Sequence, residues 1–147
     1  IKVETTKGDF ILNVFPTQAP NHARNLVDLT NAAFYDGIVF HRYEVDFVIQ
    51  GGDPLTKTLP LDDPSIGTGG PGYTIDFEVN ALKHEKYTLG MARSADRDSA
   101  GSQWFVNLKY NRALDGEYVV FGNVDEGTSV IDQLRRGDVI NRMTVIP

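Results

Sequence analysis

Three short runs decide the fold class: "YTLGMAR" (residues 87–93), "SQWFVNL" (102–108) and "YVVFGNV" (118–124). Each is rich in aromatic and β-branched residues, and turn-forming residues separate them, the pattern of short, half-buried strands. Working outward, "YTIDFEV" (73–79) and "VINRMTVI" (139–146) read the same way. "IKVETTKGDFILNVF" (1–15) holds two alternating runs around Lys7-Gly8, where Gly8 suits the positive φ of a tight hairpin. That many short strands with no repeating strand-helix-strand alternation favour a closed barrel or a sandwich over a parallel α/β sheet.

Two segments change period. In "TQAPNHARNLVDLTNAAF" (17–34), Ala23, Leu26, Val27, Thr30 and Ala33 or Phe34 fall at helical spacing, with Pro20 tolerated in the first turn. "GTSVIDQLRRG" (127–137) reads as a second, short helix ending at Gly137. From Val39 to Asp53 a β-like run returns until Gly51-Gly52-Asp53-Pro54 breaks it, and residues 54–72 form a Pro- and Gly-rich surface excursion. A length of 147 residues fits one domain, 1–147, around a single core.

Composition excludes several functions. Twenty acidic against 14 basic residues give a net charge of −6, which disfavours nucleic acid and acidic membrane surfaces as partners. The absence of Cys removes thiolate and disulfide chemistry, and His22, His41 and His84 lack close metal-ligand spacing, so neither metal nor cofactor is expected. Beginning at Ile1 without a basic-plus-apolar leader, the chain reads as a processed or trimmed product. A cytoplasmic location is expected, with a processed extracytoplasmic or organellar form as the alternative.

Several motifs fail on context. Gly67, Gly69 and Gly72 match G-x-G-x-x-G, but Pro71 and a strand-like run follow where a phosphate-binding helix should begin. "DRDSAG" (96–101) starts like a calcium loop, yet Ala100 and Asn107 stand where carboxylates are required. Asp62-Asp63 reads as a solvated turn, and no G-x-S-x-G or H-E-x-x-H is present.

Parity on a strand puts Phe40 with Arg42, Val48 with Gln50, and Gln103 with Phe105 on shared faces, with Ser102, Trp104 and Val106 opposite. Two strands thus set an apolar group beside a neutral amide. From pattern alone the favoured account is plain: Phe47, Phe105 and Leu114 are core, and Arg42 is a rim cation paired with Glu44 or Asp46.

A resemblance overturns that preference. "FYDGIVFHR" (34–42), "DFVIQGGDP" (46–54), "GTGGPGY" (67–73), "LGMARSADRDSAGSQWFVNL" (89–108) and "LDGEYVVFGNV" (114–124) occur in the order and at about the spacing seen in cyclophilins, the peptidyl-prolyl cis-trans isomerases. The block "MARSADRDSAGSQ" (91–103) is similar to the bacterial form. The resemblance implies a mainly β fold, a closed eight-stranded antiparallel β-barrel capped by two α-helices, with the substrate in an outer groove.

It also implies roles. Arg42 matches the catalytic arginine; Phe47, Val48, Phe105 and Leu114 match the pocket for the proline ring, with Tyr118 as a variant of a frequent His. Gln50 and Gln103 match the groove amides, and Arg93, flanked by Ala92 and Ser94, would offer backbone groups to the peptide. Strict alternation separates Phe47 from Val48, so the chain must bend or bulge there if both line the pocket. The implied partners are Pro-containing peptides and unfolded clients; a single exposed groove needs no dimer, so a monomer is expected. Ala113 stands where many relatives carry a Trp of the cyclosporin surface, so weakened cyclosporin binding is expected. The alternatives are a groove that holds Pro-containing segments without turnover, and a barrel with a small ligand inside, which the bulky strand residues disfavour.

Overall fold

The computed structural model describes residues Ile1–Pro147. Eight strands, β1 (Lys2–Thr5), β2 (Gly8–Val14), β3 (Arg42–Glu44), β4 (Val48–Gly51), β5 (Thr88–Met91), β6 (Trp104–Asn107), β7 (Val120–Glu126) and β8 (Ile140–Thr144), pair in the order β3-β4-β6-β5-β7-β2-β1-β8. Every pairing is antiparallel. Helix α1 (Pro20–Asn31) packs against β7 and β8, and α2 (Thr128–Gln133) against β2. Short 3₁₀ turns cover Pro54–Lys57 and Arg112–Leu114.

The sheet curls into a half-barrel and does not close, which corrects the expected closed barrel. Its edges, β3 and β8, meet only through one bridge, Val39 to Val139, with backbone bonds such as Phe40 N–H to the Asp138 carbonyl at 2.9 Å. The reason lies in β3. It is three residues long and exposes the charged Arg42 and Glu44, the kind of short, charged edge that resists further pairing.

One cluster of 22 buried residues forms the core. Trp104 is fully buried in it, edge-on to Phe40 at 5.9 Å and to Tyr35 at 6.4 Å. The face of α1 that enters the core carries Ala23, Leu26, Leu29 and Thr30; Val27 is only half-buried, and Ala33 (φ 57°) turns the chain out of the helix.

Four further expectations change. Residues 73–79 form no strand: Ile75 makes a single bridge to Ala100, and side chains hold the rest of the segment. The Glu78 carboxylate accepts from Asn21 and His22 N–H at the otherwise uncapped start of α1, and Asp98 accepts from Phe77 N–H. Helix α2 ends at Gln133, because Leu134 is extended (ψ 139°) and buried. The run 39–53 is a hairpin rather than one strand. Phe40 lies in the core while Arg42 is outside, since the ladder begins only at Arg42.

Candidate active site

Register builds the site. Arg42 on β3 lies opposite Gln50 on β4, Gln50 opposite Phe105 on β6, and Phe105 opposite Gly90 on β5. Residues in such a row share one face of the sheet, so a cation, an amide and an aromatic ring line up on the outside of the half-barrel. The neighbouring row, Tyr43, Ile49, Val106 and Leu89, faces the core. Gly90 is the condition for Phe105: any Cβ there would overlap the tip of the phenylalanine ring.

A pocket of about 170 Å³ opens on this outer face, lined by Arg42, Phe47, Val48, Gln50, Ala92, Arg93, Phe105, Leu114 and Tyr118. Phe105 and Val48 are only 4% and 2% exposed, yet neither belongs to the core cluster, so they form a second apolar patch under the pocket. The expected bend between Phe47 and Val48 is a turn: Asp46 adopts φ 54°, and Phe47 N–H donates to the Glu44 carbonyl at 3.0 Å. The Phe47 carbonyl is then fixed by Leu108 N–H at 2.8 Å and the Asn111 amide at 2.9 Å.

Arg42 is held at the rim by three groups. One Nη donates to Glu44 at 2.8 Å, the other reaches Gln50 Oε1 at 3.5 Å, and the guanidinium lies 5.7 Å from the centre of the Phe47 ring. The pairing with Glu44, weighed from sequence as a sign of a mere rim cation, coexists with a place on the pocket wall. Both partners are about half exposed, so the ion pair adds little stability. Its effect is to orient the guanidinium.

Two of the sequence-derived groove residues, Ser94 and Gln103, lie outside this pocket. They line an adjoining polar pocket of about 450 Å³, walled by the glycine loop 67–70 and sharing Gln50, Ala92 and Arg93 with the first. The Arg93 side chain donates to the Glu117 carbonyl at 2.6 Å and to the Ser94 carbonyl at 2.9 Å, and lies 4.5 Å over the Tyr118 ring. It therefore ties two loops together at the pocket's end.

Sequence reasoning missed what stands behind Phe105. His84, fully buried, stacks on that ring with centroids 5.8 Å apart and planes at 17°. Its Nδ1 faces the Asn107 amide nitrogen at 3.1 Å, and that nitrogen donates to Thr88 Oγ1 at 2.9 Å, so Nδ1 accepts. Nε2–H then donates to the Tyr118 carbonyl at 3.0 Å. Burial holds the imidazole below its ordinary pKa, against opposing pulls from the Tyr118 carbonyl and Asp115. A lone His in "ALKHEKY" carries no spacing signal; Gly90 inside a strand was the one legible hint of a close approach. No three His, Asp or Glu side chains gather as they would to hold a metal ion.

Comparisons with known proteins identify relatives of the chain and of its fold. Residues 1–146 match the family model described as cyclophilin type peptidyl-prolyl cis-trans isomerase. The chain is 41% identical over 142 residues to a peptidyl-prolyl cis-trans isomerase of Helicobacter pylori, covering 94% of this chain and 81% of that protein. It is 40% identical over 146 residues to one of Synechococcus elongatus, covering 98% and 94%. A crystal structure of a Cryptosporidium parvum cyclophilin type isomerase in the presence of the dipeptide Ala-Pro superposes with a TM-score of 0.88 at 26% identity, covering 99% and 98%. With the family matched from end to end and the fold shared, this chain belongs to the cyclophilin-type peptidyl-prolyl cis-trans isomerases.

Proposed function

We propose that the protein isomerises Xaa-Pro bonds by seating the proline ring on Phe47, Val48, Phe105, Leu114 and Tyr118 while Arg42 stabilises the twisted amide. Rotation about a peptide bond meets a barrier of about 18–20 kcal/mol because nitrogen lone-pair resonance is lost. No covalent bond breaks, so neither nucleophile nor base is needed. What lowers the barrier is a donor that bonds the twisted state better than the planar one. A guanidinium aimed at the prolyl nitrogen, whose lone pair is freed only on twisting, or at the adjacent carbonyl, does that, and it stays charged at any working pH.

The observation that carries this reading is the position of Arg42 at the mouth of an apolar pocket, its guanidinium hydrogen-bonded only to the exposed Glu44 and, at 3.5 Å, to Gln50, whereas the other pocket arginine, Arg93, spends its N–H groups on backbone carbonyls. Gln50, Gln103 and the backbone of Ala92, Arg93 and Ser94 then hold the peptide on either side of the proline. Partners are Pro-containing peptides and flexible or unfolded protein segments bound to a monomer, and a cytoplasmic setting is the working assignment. Exchange spectroscopy on an Ala-Pro-Phe peptide tests the core of this. Arg42→Ala is expected to lower the catalysed exchange rate about a hundredfold at unchanged thermal stability. Retention of the wild-type rate would refute the role of Arg42, and binding without acceleration by the wild type would make the groove a holding site.

The exposed Ala113 in the 3₁₀ turn beside Leu114 leaves that rim without an aromatic wall. Cyclosporin binding is accordingly expected to be weak and to tighten in Ala113→Trp. A nanomolar dissociation constant for the unmodified protein, measured by calorimetry, would contradict this.

A further inference from the structure

We infer that Asp53 is a positioning residue for the isomerase reaction, setting through the glycine loop the orientation of the two amides that hold Arg42; the inference rests on the reading of Arg42 as the catalytic group. Asp53 is fully buried. Its Oδ1 accepts from Leu55 N–H at 2.9 Å and its Oδ2 from Gly67 N–H at 2.6 Å. Gly69 passes so close to Oδ1 that a Cβ at that position would collide with the carboxylate, so the loop is moulded directly onto it.

The loop so placed turns two carbonyls, those of Gly67 and Gly69, toward Gln103 Nε2, each at 2.9 Å. Carbonyls only accept, so the Gln103 amide must give its NH₂ to the loop and its oxygen to the other side. There Gln103 Oε1 accepts from Gln50 Nε2 at 3.2 Å. Gln50 in turn has its oxygen left for Arg42 Nη1, at 3.5 Å. Each amide has one donor end and one acceptor end, so fixing the first fixes the last.

The alternative polarity shows what is at stake. Were Gln103 reversed, its oxygen would face two carbonyls, and the Gln50 NH₂ would be driven to face a guanidinium that only donates. Arg42 would then keep Glu44 as its one acceptor, on the side away from Gln50. Asp53 lines neither pocket; it acts from behind, by holding the loop whose carbonyls choose the polarity.

Steady-state isomerisation of an Ala-Pro-Phe peptide tests this with Asp53→Asn, which replaces one acceptor end by a donor, and with Gln103→Lys, which has donors and no acceptor, so that Gln50 must turn its oxygen to it and its NH₂ to Arg42. Because Gln103 is half-exposed, the second variant folds even where the first does not. Each is expected to lower kcat about tenfold, the scale of one lost charge-assisted hydrogen bond; KM stays within about twofold in Asp53→Asn, whereas it rises in the Gln103 variant because Gln103 itself holds peptide. Combined with Arg42→Ala and followed by exchange spectroscopy at high enzyme concentration, Asp53→Asn should not lower the residual rate further. Unchanged kcat in the folded variants, or an equal loss from Asp53→Asn with and without Arg42, overturns the inference alone. Wild-type turnover in Arg42→Ala overturns the reading of Arg42, and the relay with it.

Discussion

The two faces of the β4-β6-β5 ladder share one backbone and one twist, yet they are built on opposite terms. Inward lie Ile49, Val106 and Leu89, all fully buried and in register. One residue along each strand, outward, lie Gln50, Phe105 and Gly90. The inner row is close-packed hydrocarbon whose removal leaves a cavity; the outer row is an amide, a ring and a vacancy for that ring. The difference teaches that the precision of the outer row is borrowed from the inner one, since a site within tenths of an ångström of its working geometry needs side chains locked by what lies beneath.

The largest expected effect is on the inner face. Ile49→Ala should cost about 2–5 kcal/mol of stability, the range for burying a cavity in place of a large aliphatic, while catalysis per folded molecule stays near normal well below the melting transition. Arg42→Ala is its mirror image, with stability kept and turnover lost; denaturant titration alongside kinetics separates the two, and a variant of either face that showed both effects would blur the distinction. Gly90→Ala is that intended hybrid. Its methyl group has no space except by displacing the Phe105 ring, so about 1–3 kcal/mol of stability should go, together with a rise in KM as the pocket floor lifts. Wild-type KM in this variant would show that the ring is free to move.

The smallest effect is on pH dependence. His22, His41 and His84 all have pKa values lowered from 6.5, in each case chiefly by burial. The unfolded chain therefore takes up protons near pH 6.5 that the folded chain refuses. Stability is complete above that pH and falls as the pH drops below it toward the folded values, by up to about 1.4 kcal/mol per pH unit for each histidine that stays neutral. His84→Gln should flatten this slope between pH 7 and 5 in denaturant titrations; an unaltered slope would place the dependence on His22 and His41.

The outer row was largely legible in the sequence, because strand parity and the five matching blocks bear on the same residues. Gln103 and Phe105 share a face as alternation requires, and Trp104 and Val106 point to the core. What failed was anything that depended on partners rather than on pattern. Residues 73–79 have the composition of a strand, but only Ile75 pairs, with Ala100, while Phe77 N–H goes to Asp98 and the Glu78 carboxylate to the start of α1, so no ladder forms. Phe40 and Arg42 are two apart yet diverge, since alternation holds only inside a ladder and this one starts at Arg42. The open edge was invisible for a related reason: closure depends on how long and how charged β3 is once its turn at Asp46 has cut the run in two. His84 is the clearest omission, a single residue whose importance comes wholly from the ring it meets.

The single tryptophan gives the molecule a built-in spectroscopic reporter. Trp104 sits between Tyr35 and Phe40, sealed from water and turned to the opposite side of β6 from the pocket at Phe105. Its emission should be blue in the folded chain and shift to the red on denaturation, a label-free signal for the stability of every variant above. The same placement should make that signal silent to an occupied groove, so intrinsic fluorescence follows folding cleanly while peptide binding is watched by other means.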